Sequence, residues 1–304
     1  MDDASMIIGI GNEWGPLKKV LVGHGRDMGP APSAADSYDP TSKKHLLEGT
    51  YPKAQDVEAQ LDQLADLLSL EGVEVIRPAD VPDLEQVFAR DVGLVIDGVF
   101  IRSRMIADRQ AEWEGIAPLL KNTQVNTLPE EAELEGGDDV VMDDVIAVGV
   151  TRRSDLLDLQ TSRTNQAGLD FLASTFPNRE VWGVELHKDD DDPTHCALHL
   201  DCAFMPLGLG QAIVCPDAFL DQDQLHKLTD RFDEVINISL QEAALLQSNL
   251  LHVTPEVIMI DPRFDRLSAI LHEKGYRLIE CPMNNVGKMG GLFRCATLPL
   301  LRSH

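Results

Sequence analysis

The stretch GGLFRCATLPLLR, residues 290–302, lies almost at the end of the chain. It carries one cysteine, Cys295, between a glycine pair and an apolar run that is typical of a buried strand. Because chain ends usually fray, an ordered strand here requires a partner from elsewhere in the sequence. Cys295 has two interpretations: a small core residue, since free cysteine is often buried, or a nucleophile placed where the backbone approaches a substrate.

The same order of elements recurs upstream: strand, turn, strand, helix, strand. In the first copy, residues 92–104 (VGLVIDGVFIRSR) predict two strands joined at Asp97-Gly98, which is a strong hairpin signal. A helical stretch from Asp108 to Lys121 and a short strand near Val125 complete this copy. Three further copies have paired strands within residues 139–150, 197–216 and 249–261 and helices at Asn165–Thr175, Asp221–Phe232 and Arg263–Lys274.

A fifth copy is completed only by joining the two ends of the chain. CATLPLL (residues 295–301) would pair with KKVLVG (residues 18–23), followed by a helix from Lys53 to Leu70 and the strand VEVIRP. Five ββαβ units completed in this way predict a single α/β domain over residues 1–304, a propeller whose ring is closed by the N- and C-terminal strands. The alternative is an ordinary α/β sheet with hairpins. The apolar face predicted for the helix consists of Val57, Leu61, Leu64 and Leu68.

The composition restricts the class of partner. The chain has 51 Asp and Glu against 26 Lys and Arg, a net charge of −25. Such a surface repels nucleic acid and anionic membranes, and it suits a cationic substrate or high solubility. No apolar stretch reaches the length of about 18 residues that spans a membrane, and the opening MDDASMIIGIGNEWG lacks the basic segment of a secretory signal. Five cysteines without a CxxC pair indicate free thiols in a reducing compartment, so we expect a cytoplasmic protein.

Two acidic motifs lie in otherwise apolar surroundings. FARD, residues 88–91, puts Asp91 just before the first hairpin. The ordinary alternative for Asp91 is a capping or turn aspartate. ELEGGDD, residues 133–139, puts Glu135 before two glycines, which permit unusual φ angles and close backbone approach. The ordinary alternative here is a simple turn.

HCALHLDCAF, residues 195–204, is the most informative stretch. If it is a strand, His199 and Asp201 lie on the same face, since side chains alternate with a period of two. Burying two ionisable groups costs on the order of several kcal/mol unless they are paired or used. The ordinary alternative is a satisfied core histidine with a surface aspartate.

A metal site is a second alternative for this stretch. On a strand, however, its cysteines would face away from the histidines and the aspartate, and no CxxC or HExxH pattern supports zinc. We therefore expect no metal. The potential ligands are His195, Cys196, His199, Asp201 and Cys202.

One cysteine, one histidine and three carboxylates form a coherent chemical set. Cys295 and His199 supply a nucleophile and a proton carrier. Carboxylates around a cysteine raise the pKa of its thiol and weaken it, so the arrangement makes sense if the substrate itself is positively charged. A guanidinium is planar, permanently charged and rich in N–H donors. Asp91, Glu135 and Asp201 would hold this cation, and the bound cation would favour the thiolate.

The ordered set of motifs resembles the guanidine-modifying enzymes, which include arginine deiminase, dimethylarginine dimethylaminohydrolase and the glycine and inosamine amidinotransferases. NEWGPLKKVLVG, residues 12–23, looks like the opening of the amidinotransferase branch. FARD, LEGGD, HLD and GGLFRCATLPL follow in the family's order. The resemblance covers nearly the whole chain and implies the five-module α/β propeller of the pentein type.

The resemblance also implies roles for the candidate residues. Cys295 would attack the guanidinium carbon to form a thiouronium intermediate. His199 would protonate the departing amine and then activate the incoming nucleophile. Asp91 and Asp201 would bind guanidinium nitrogens, and Glu135 would contact the guanidinium or orient His199. No metal or organic cofactor is implied, because Cys295 supplies the covalent chemistry.

Family members often bind the substrate's α-carboxylate with arginines. Arg153 in VTRRSD resembles the arginine of arginine deiminase, and Arg163 in SRTNQAG resembles that of the dimethylarginine hydrolases. Arg109, in the predicted helix after the first hairpin, is a third candidate. The ordinary alternative for each is a surface arginine.

The motifs send mixed signals about the reaction. NEWGPL is similar to the transferases, whereas EGGD is similar to the hydrolases. Because function lies in the site, we expect a hydrolase acting on the guanidinium group of arginine or a related compound. An amidinotransferase and a non-catalytic guanidino-binding protein are the alternatives. We expect residues 24–52 to form a long loop that serves as a lid, and a homodimer is the usual state of a soluble enzyme.

Overall fold

The computed structural model describes residues 6–303, and within them fifteen strands form five three-stranded sheets. Residues 1–5, which hold the acids at the predicted non-signal opening, and His304 lie outside the described residues. The strands are β1 (Leu17–Val22), β2 (Glu74–Ile76), β3 (Gly93–Ile96), β4 (Val99–Arg102), β5 (Val125–Thr127), β6 (Asp139–Met142), β7 (Val145–Gly149), β8 (Glu180–Val184), β9 (Phe204–Pro206), β10 (Gln211–Val214), β11 (Glu234–Asn237), β12 (Leu251–Thr254), β13 (Val257–Ile260), β14 (Arg277–Glu280) and β15 (Thr297–Arg302).

Each sheet has the same topology, as the recurring order of elements predicted. The middle strand pairs antiparallel with one neighbour and parallel with the other. The parallel partner follows a helical connection, because a parallel pair cannot be joined by a tight turn. The sheet orders are β15-β1-β2, β3-β4-β5, β6-β7-β8, β9-β10-β11 and β12-β13-β14.

The fifth sheet contains strands from both ends of the chain. β15 pairs antiparallel with β1, placing Leu21 opposite Leu298 and Val22 opposite Thr297. This confirms the predicted pairing of CATLPLL with KKVLVG. Each of the five sheets is open among the described residues, so the predicted closure of the modules into a propeller stays a prediction.

The α-helices lie mostly where their spacing predicted them. The four predicted apolar residues of the second helix are fully buried, which confirms its apolar face. No helix within residues 6–303 has the length and apolar character needed to cross a membrane. The helices are α1 (Pro40–Leu47), α2 (Ala54–Leu70), α3 (Trp113–Ile116), α4 (Gln166–Thr175), α5 (Gln222–Thr229), α6 (Leu240–Ala244), α7 (Asp265–Glu273) and α8 (Asn284–Gly287).

The predicted helical stretch from Asp108 to Lys121 is confirmed, but it is not one regular α-helix. The segment consists of a 3₁₀ helix at Ala107–Glu112, the single turn α3, and a second 3₁₀ helix at Ala117–Leu120. A β-carbon on Gly115 would lie 2.6 Å from the carbonyl oxygen of Ala79, so this turn packs closely against the segment that follows β2. Pro118 lacks the N–H that would continue an α-helix.

Residues 24–52 are not one loop, because α1 occupies Pro40–Leu47. Its start carries an ordinary signal: Asp39 Oδ1 accepts a hydrogen bond from the Ser42 N–H at 2.7 Å, and Pro40 follows the cap. This signal was present in the sequence within a stretch otherwise rich in loop residues. The segment before α1 retains irregular structure.

The predicted strand over residues 195–204 is also wrong. Only β9 is a strand there, and Leu200–Cys202 form a 3₁₀ turn. The reason lies in the backbone donors. The Leu200 N–H donates to the Asp138 carboxylate at 3.2 Å, and the Asp201 N–H donates to the Gly137 carbonyl at 3.3 Å, instead of to a neighbouring strand.

Candidate active site

One cavity brings together residues from distant parts of the sequence. It has a volume of about 190 Å³. Residues before and within α1 form part of its wall, and the lid role predicted for residues 24–52 stays a prediction. Glu135 and Asp201 lie directly behind the wall, in contact with His199 and with Cys295. Five predicted site residues line the cavity: Asp91, Arg109, Arg163, His199 and Cys295.

Cys295 lies in the turn just before β15, with its side chain almost fully buried. Its Sγ is 3.7 Å from Asp201 Oδ2. Burial and the nearby carboxylates of Asp201 and Asp91 raise the pKa of the Cys295 thiol well above its usual range. In the absence of a bound cation, this thiol is therefore protonated at neutral pH. All five cysteines are free, as predicted.

Asn249 holds Cys295 in place, and the sequence analysis missed it. Its Nδ2 donates to Cys295 Sγ at 3.0 Å, and its Oδ1 accepts the Cys295 N–H at 3.1 Å. The same Oδ1 accepts the Leu292 N–H at 3.2 Å. The donor to sulfur lowers the thiol pKa, against the carboxylates. A polar residue before an apolar strand gives no sequence signal of this role.

His199 lies just before the 3₁₀ turn, in extended backbone conformation. Its Nε2 is 2.8 Å from Glu135 Oε2, and its Nδ1 is 3.7 Å from Asp91 Oδ1. Burial favours the neutral imidazole, but the Asp91 carboxylate and the hydrogen bond with Glu135 outweigh it and raise the pKa of His199 to about 9. The imidazole thus carries a proton that it can give up.

Glu135 is fully buried between two cationic groups. Arg163 Nη1 donates to both of its carboxylate oxygens, at 3.2 and 3.0 Å, so it shares Oε2 with His199. The Ile106 N–H also donates to Oε1 at 3.2 Å. Burial raises the pKa of Glu135, but Arg163 and His199 outweigh it and hold the pKa far below its usual range. Glu135 is therefore ionised, and its contact with Nε2 fixes the orientation of the imidazole ring.

The two glycines after Glu135 are required by close approach. A β-carbon on Gly137 would clash with His199 Nδ1 and lie 2.9 Å from Asp91 Oδ1. A β-carbon on Gly136 would clash with the Arg90 carbonyl oxygen. Neither glycine has a positive φ, so the unusual φ offered as one reason for the motif is not used.

Asp91 has one occupied and one free carboxylate oxygen. Arg109 Nη1 donates to its Oδ2 at 2.7 Å, and the rest of the Arg109 guanidinium binds Glu112 and the Phe88 carbonyl. Asp91 Oδ1 is buried without a hydrogen-bond partner. This oxygen belongs to the wall of the cavity and is available to a donor that enters it.

Asp201 lies beneath the thiol in a buried cluster of charges that the sequence analysis did not assemble. Arg294 Nη1 donates to Asp201 Oδ2 at 2.9 Å, and Arg294 Nη2 donates to Glu13 Oε1 at 2.9 Å. Arg294 Nη2 also contacts the Asp139 carbonyl. Charged side chains are rarely fully buried unless they are paired. The charges of Glu13 in NEWG and of Arg294 beside Cys295 were therefore the sequence features that could have indicated a buried ion pair.

The three candidate arginines differ in position. Arg109 and Arg163 line the cavity, whereas Arg153 is exposed, outside it, in an ion pair with Asp155. Arg163 also donates to the carbonyl of Tyr38, and its guanidinium lies 5.4 Å from the centre of the Tyr38 ring. Arg163 therefore joins the segment before α1 to Glu135, which contacts His199.

The predicted metal alternative fits poorly with the observed arrangement. His195 is exposed and forms an ion pair with Asp192, so it is not a buried metal ligand beside His199. Among residues 6–303, the donor atoms of Asp91, Glu135 and His199 lie within 4.8 Å of one another. In this structure those three side chains are already joined to each other and to Arg109 and Arg163 by hydrogen bonds and ion pairs.

Solved structures share this fold over nearly the whole chain. Inosamine-phosphate amidinotransferase from Streptomyces griseus is 19% identical and superposes with a TM-score of 0.77, covering 99% of this chain and 98% of the other. The N-terminal domain of ArgZ, a cyanobacterial arginine dihydrolase, is 22% identical with a TM-score of 0.75, covering 93% and 97%. Both likenesses show the α/β fold of the guanidine-modifying class.

The sequence assigns the chain within that class. The profile of the family described as "N,N dimethylarginine dimethylhydrolase, eukaryotic" matches residues 33–302. The Bacillus subtilis protein YkgA is 28% identical over 95% of this chain and 94% of its own length. The chain therefore belongs to the guanidine-modifying superfamily, in the family that this profile describes, which confirms the resemblance stated from the motifs.

Proposed function

We propose that the protein is a hydrolase that acts on the guanidinium group of arginine or a related guanidino compound through a covalent Cys295 intermediate. The observation that carries the proposal is the cavity shared by the Cys295 thiol, the protonated His199 and the free carboxylate oxygen of Asp91. A planar cation that donates to Asp91 would lie between sulfur and imidazole.

The proposed chemistry has two halves. When the substrate binds, the Cys295 thiol releases its proton to solvent. The thiolate Sγ forms a bond to the guanidinium carbon, the bond from that carbon to one nitrogen breaks, and His199 gives its proton to the departing amine. Water then attacks the same carbon, His199 takes one of its protons, the carbon–sulfur bond breaks to leave the thiolate, and the second proton passes to solvent or to the released amine. The products are a ureido compound and an amine, and Cys295 is restored.

The substrate's charge has a specific part in this scheme. Asp201 and Asp91 disfavour a thiolate at Cys295 in the empty cavity. A bound guanidinium offsets their charge, because an opposite charge within a few ångströms favours the ionised form. The nucleophile is thus activated by the molecule that it attacks. Glu135 contributes by orienting the imidazole through its 2.8 Å hydrogen bond.

The proposal includes the overall organisation expected from the sequence. Residues 1–304 act as one catalytic domain whose five modules surround the cavity. The enzyme works in the cytoplasm, without a metal or organic cofactor, and a homodimer is its expected state. Arg109 and Arg163 are the proposed contacts for a substrate carboxylate, since both line the cavity while Arg153 does not.

Amidino transfer is the second candidate function. The likeness to the Streptomyces griseus amidinotransferase extends over 98% of this chain and 97% of that protein, and it favours an amine as the second nucleophile. The family profile and the glycine pair after Glu135 favour water. The two reactions share the first half of the mechanism and differ only in what attacks the intermediate.

A substrate assay separates these functions. The purified protein is incubated with arginine, methylated arginines and guanidino acids, each with and without glycine or ornithine. A ureido product formed without an acceptor supports hydrolysis. Turnover that requires the amine acceptor replaces hydrolysis by amidino transfer, and saturable binding without any turnover leaves a guanidino-binding protein.

The role of Cys295 is tested separately. We expect Cys295→Ser to lower turnover by about a thousandfold or more, with an unchanged circular dichroism spectrum. Persistent activity would remove Cys295 from the mechanism. Cys215→Ser is the matched control, since Cys215 is an equally buried thiol outside the cavity wall.

A further inference from the structure

A second cavity is lined by residues that precede and follow Arg109 in the sequence. Its volume is about 180 Å³, and its wall includes Arg102 from the end of β4, Ser103, Arg104 and Trp113. Gln110, next to Arg109 in sequence, also faces it. None of these residues lines the cavity that holds Cys295.

The charge of this cavity is opposite to that of the chain. The protein has 51 Asp and Glu, yet its lining contains two arginines and no acidic residue from the described part of the chain. Within residues 6–303, neither Arg102 nor Arg104 forms an ion pair. Arg102 instead places its guanidinium 4.9 Å from the centre of the Trp113 ring. Every other arginine of the described residues, except Arg302, forms an ion pair with a carboxylate.

Two buried polar groups in the wall lack partners. Ser103 is 7% exposed, and its hydroxyl has no hydrogen-bond partner. The Nε of Arg104 is likewise buried and unpaired, and Arg104 Nη2 donates only to the Leu128 carbonyl at 3.3 Å. A buried polar group without a partner is costly and calls for an explanation, such as a bound ion.

We propose that this cavity binds a small oxyanion, a carboxylate or a phosphate. The guanidinium groups of Arg102 and Arg104 supply charge and directed N–H donors, and the Ser103 hydroxyl supplies a further donor. Trp113 holds the Arg102 guanidinium from one face and leaves its edge for the anion. This site is independent of the reaction at Cys295, and the proposal stands or falls without it.

Binding is measured with the full chain by isothermal titration and by tryptophan fluorescence, using inorganic phosphate and acetate as probes. Sodium chloride maintains constant ionic strength, because a chain of net charge −25 responds to salt in general. Saturable binding of phosphate alone assigns a phosphate site, and saturable binding of acetate alone assigns a carboxylate site. If neither probe binds saturably, the proposal is wrong.

Variants locate the bound ion. We expect Arg102→Gln and Arg104→Gln each to weaken binding by about tenfold or more, since each removes charge-assisted hydrogen bonds. Arg277→Gln, which removes an exposed arginine paired with Glu71, should bind like wild type. Equal affinity in all four proteins would place the ion elsewhere. Ser103→Ala removes only a hydroxyl and is the conservative variant, expected to fold normally and to bind more weakly than wild type.

Discussion

Cys295 is a buried thiol beside carboxylates, and this imposes a condition on its ligand. Asp201 and Asp91 both raise the pKa of the thiol, as does burial. A neutral ligand would leave the sulfur protonated and unreactive, whereas a cation offsets the carboxylates. At the residue scale, the charge of the proposed substrate is therefore linked to the reactivity of Cys295. Asn249, through its hydrogen bond to the sulfur, and Arg294, through its charge, lower the thiol pKa and so act in the same direction as the cation.

Replacing Asn249 by aspartate tests this balance. Asn249→Asp keeps an oxygen for the Cys295 and Leu292 N–H groups but exchanges the donor on sulfur for a negative charge. We expect alkylation of Cys295 at neutral pH to slow by about tenfold or more, because the thiolate fraction falls. The rate is measured by iodoacetamide labelling and peptide mass spectrometry. Asn237→Asp adds the same charge at an exposed position of β11 and should leave the rate unchanged. Equal labelling of both variants would contradict the role given to Asn249.

The raised pKa of His199 predicts a pH dependence of stability. Its pKa is about 9 in the fold against 6.5 for the free side chain. The stabilisation is therefore fully present below pH 6.5 and is lost as the pH rises through 9. A difference of this size corresponds to roughly 3 kcal/mol.

The measurement is urea unfolding at about pH 6 and about pH 10. The free energy of unfolding of the wild type should fall by roughly 3 kcal/mol more than that of His199→Gln over this interval. The comparison with His199→Gln removes contributions from other groups that titrate in both proteins. Parallel pH profiles of the two proteins would mean that folding does not raise the pKa of His199.

The residue types of the site were predictable, but their partners were not. Cys295 and His199 stand out because a reactive side chain interrupts an apolar run. The cluster formed by Arg294, Glu13 and Asp201 joins residues far apart in sequence, and no local pattern encodes such a contact. A polar side chain that holds a backbone turn, as Asn249 does, looks like any loop residue before folding.

At the scale of elements, glycine pairs bring the reactive groups together. Gly137 lets the turn between Glu135 and β6 pass against the His199 ring, where a β-carbon would lie 2.6 Å from Cγ. Gly290 has a φ of +92° and Gly291 leaves 2.7 Å between its added β-carbon and that of Cys295. The turn before β15 could not form with side chains at both positions.

Gly137→Ala should therefore displace the imidazole. Three nearby atoms, two on His199 and one on Asp91, would have to move, so we expect a fall in kcat of about tenfold or more and a lower melting temperature. Gly9→Ala is the control, because its β-carbon would meet no atom closer than 3.9 Å and should change neither quantity. Activity and melting temperature are measured on both. A wild-type kcat in Gly137→Ala would show that the ring position is not critical.

Elements with strong local signals were predictable from the sequence. The hairpin turn at Asp97-Gly98 has two positive φ angles, 49° and 82°, as its residue pair requires. The 3₁₀ turn at Leu200–Cys202 was not predictable, because the acceptors for its N–H groups lie about 60 residues away at Gly137 and Asp138. The periodicity of apolar residues predicts which side chains are buried. It does not predict which distant acceptor binds a given backbone N–H group.

At the scale of the whole molecule, the position of Cys295 depends on the last strand. β15 pairs with β1 on one side, and on the other side Gly9 bonds to Leu300 and Arg302 through backbone groups. The strand is therefore held between two segments from the opposite end of the chain. The entropic cost of bringing the two ends of the chain together grows only slowly with the length of chain between them. The long separation of β1 and β15 in sequence therefore does not prevent their pairing.

Amide hydrogen exchange tests whether the end of the chain is held in this way. Terminal strands without such partners open freely and exchange fast. We expect the amides of residues 297–302 to exchange about a thousandfold or more slowly than those of the exposed segment 30–36, and at rates close to those of β10. The measurement is exchange followed by proteolysis and mass spectrometry at a pH where exchange is limited by local opening. If residues 297–302 exchange like the exposed segment, the terminal strand does not hold the turn of Cys295, and the nucleophile needs another anchor.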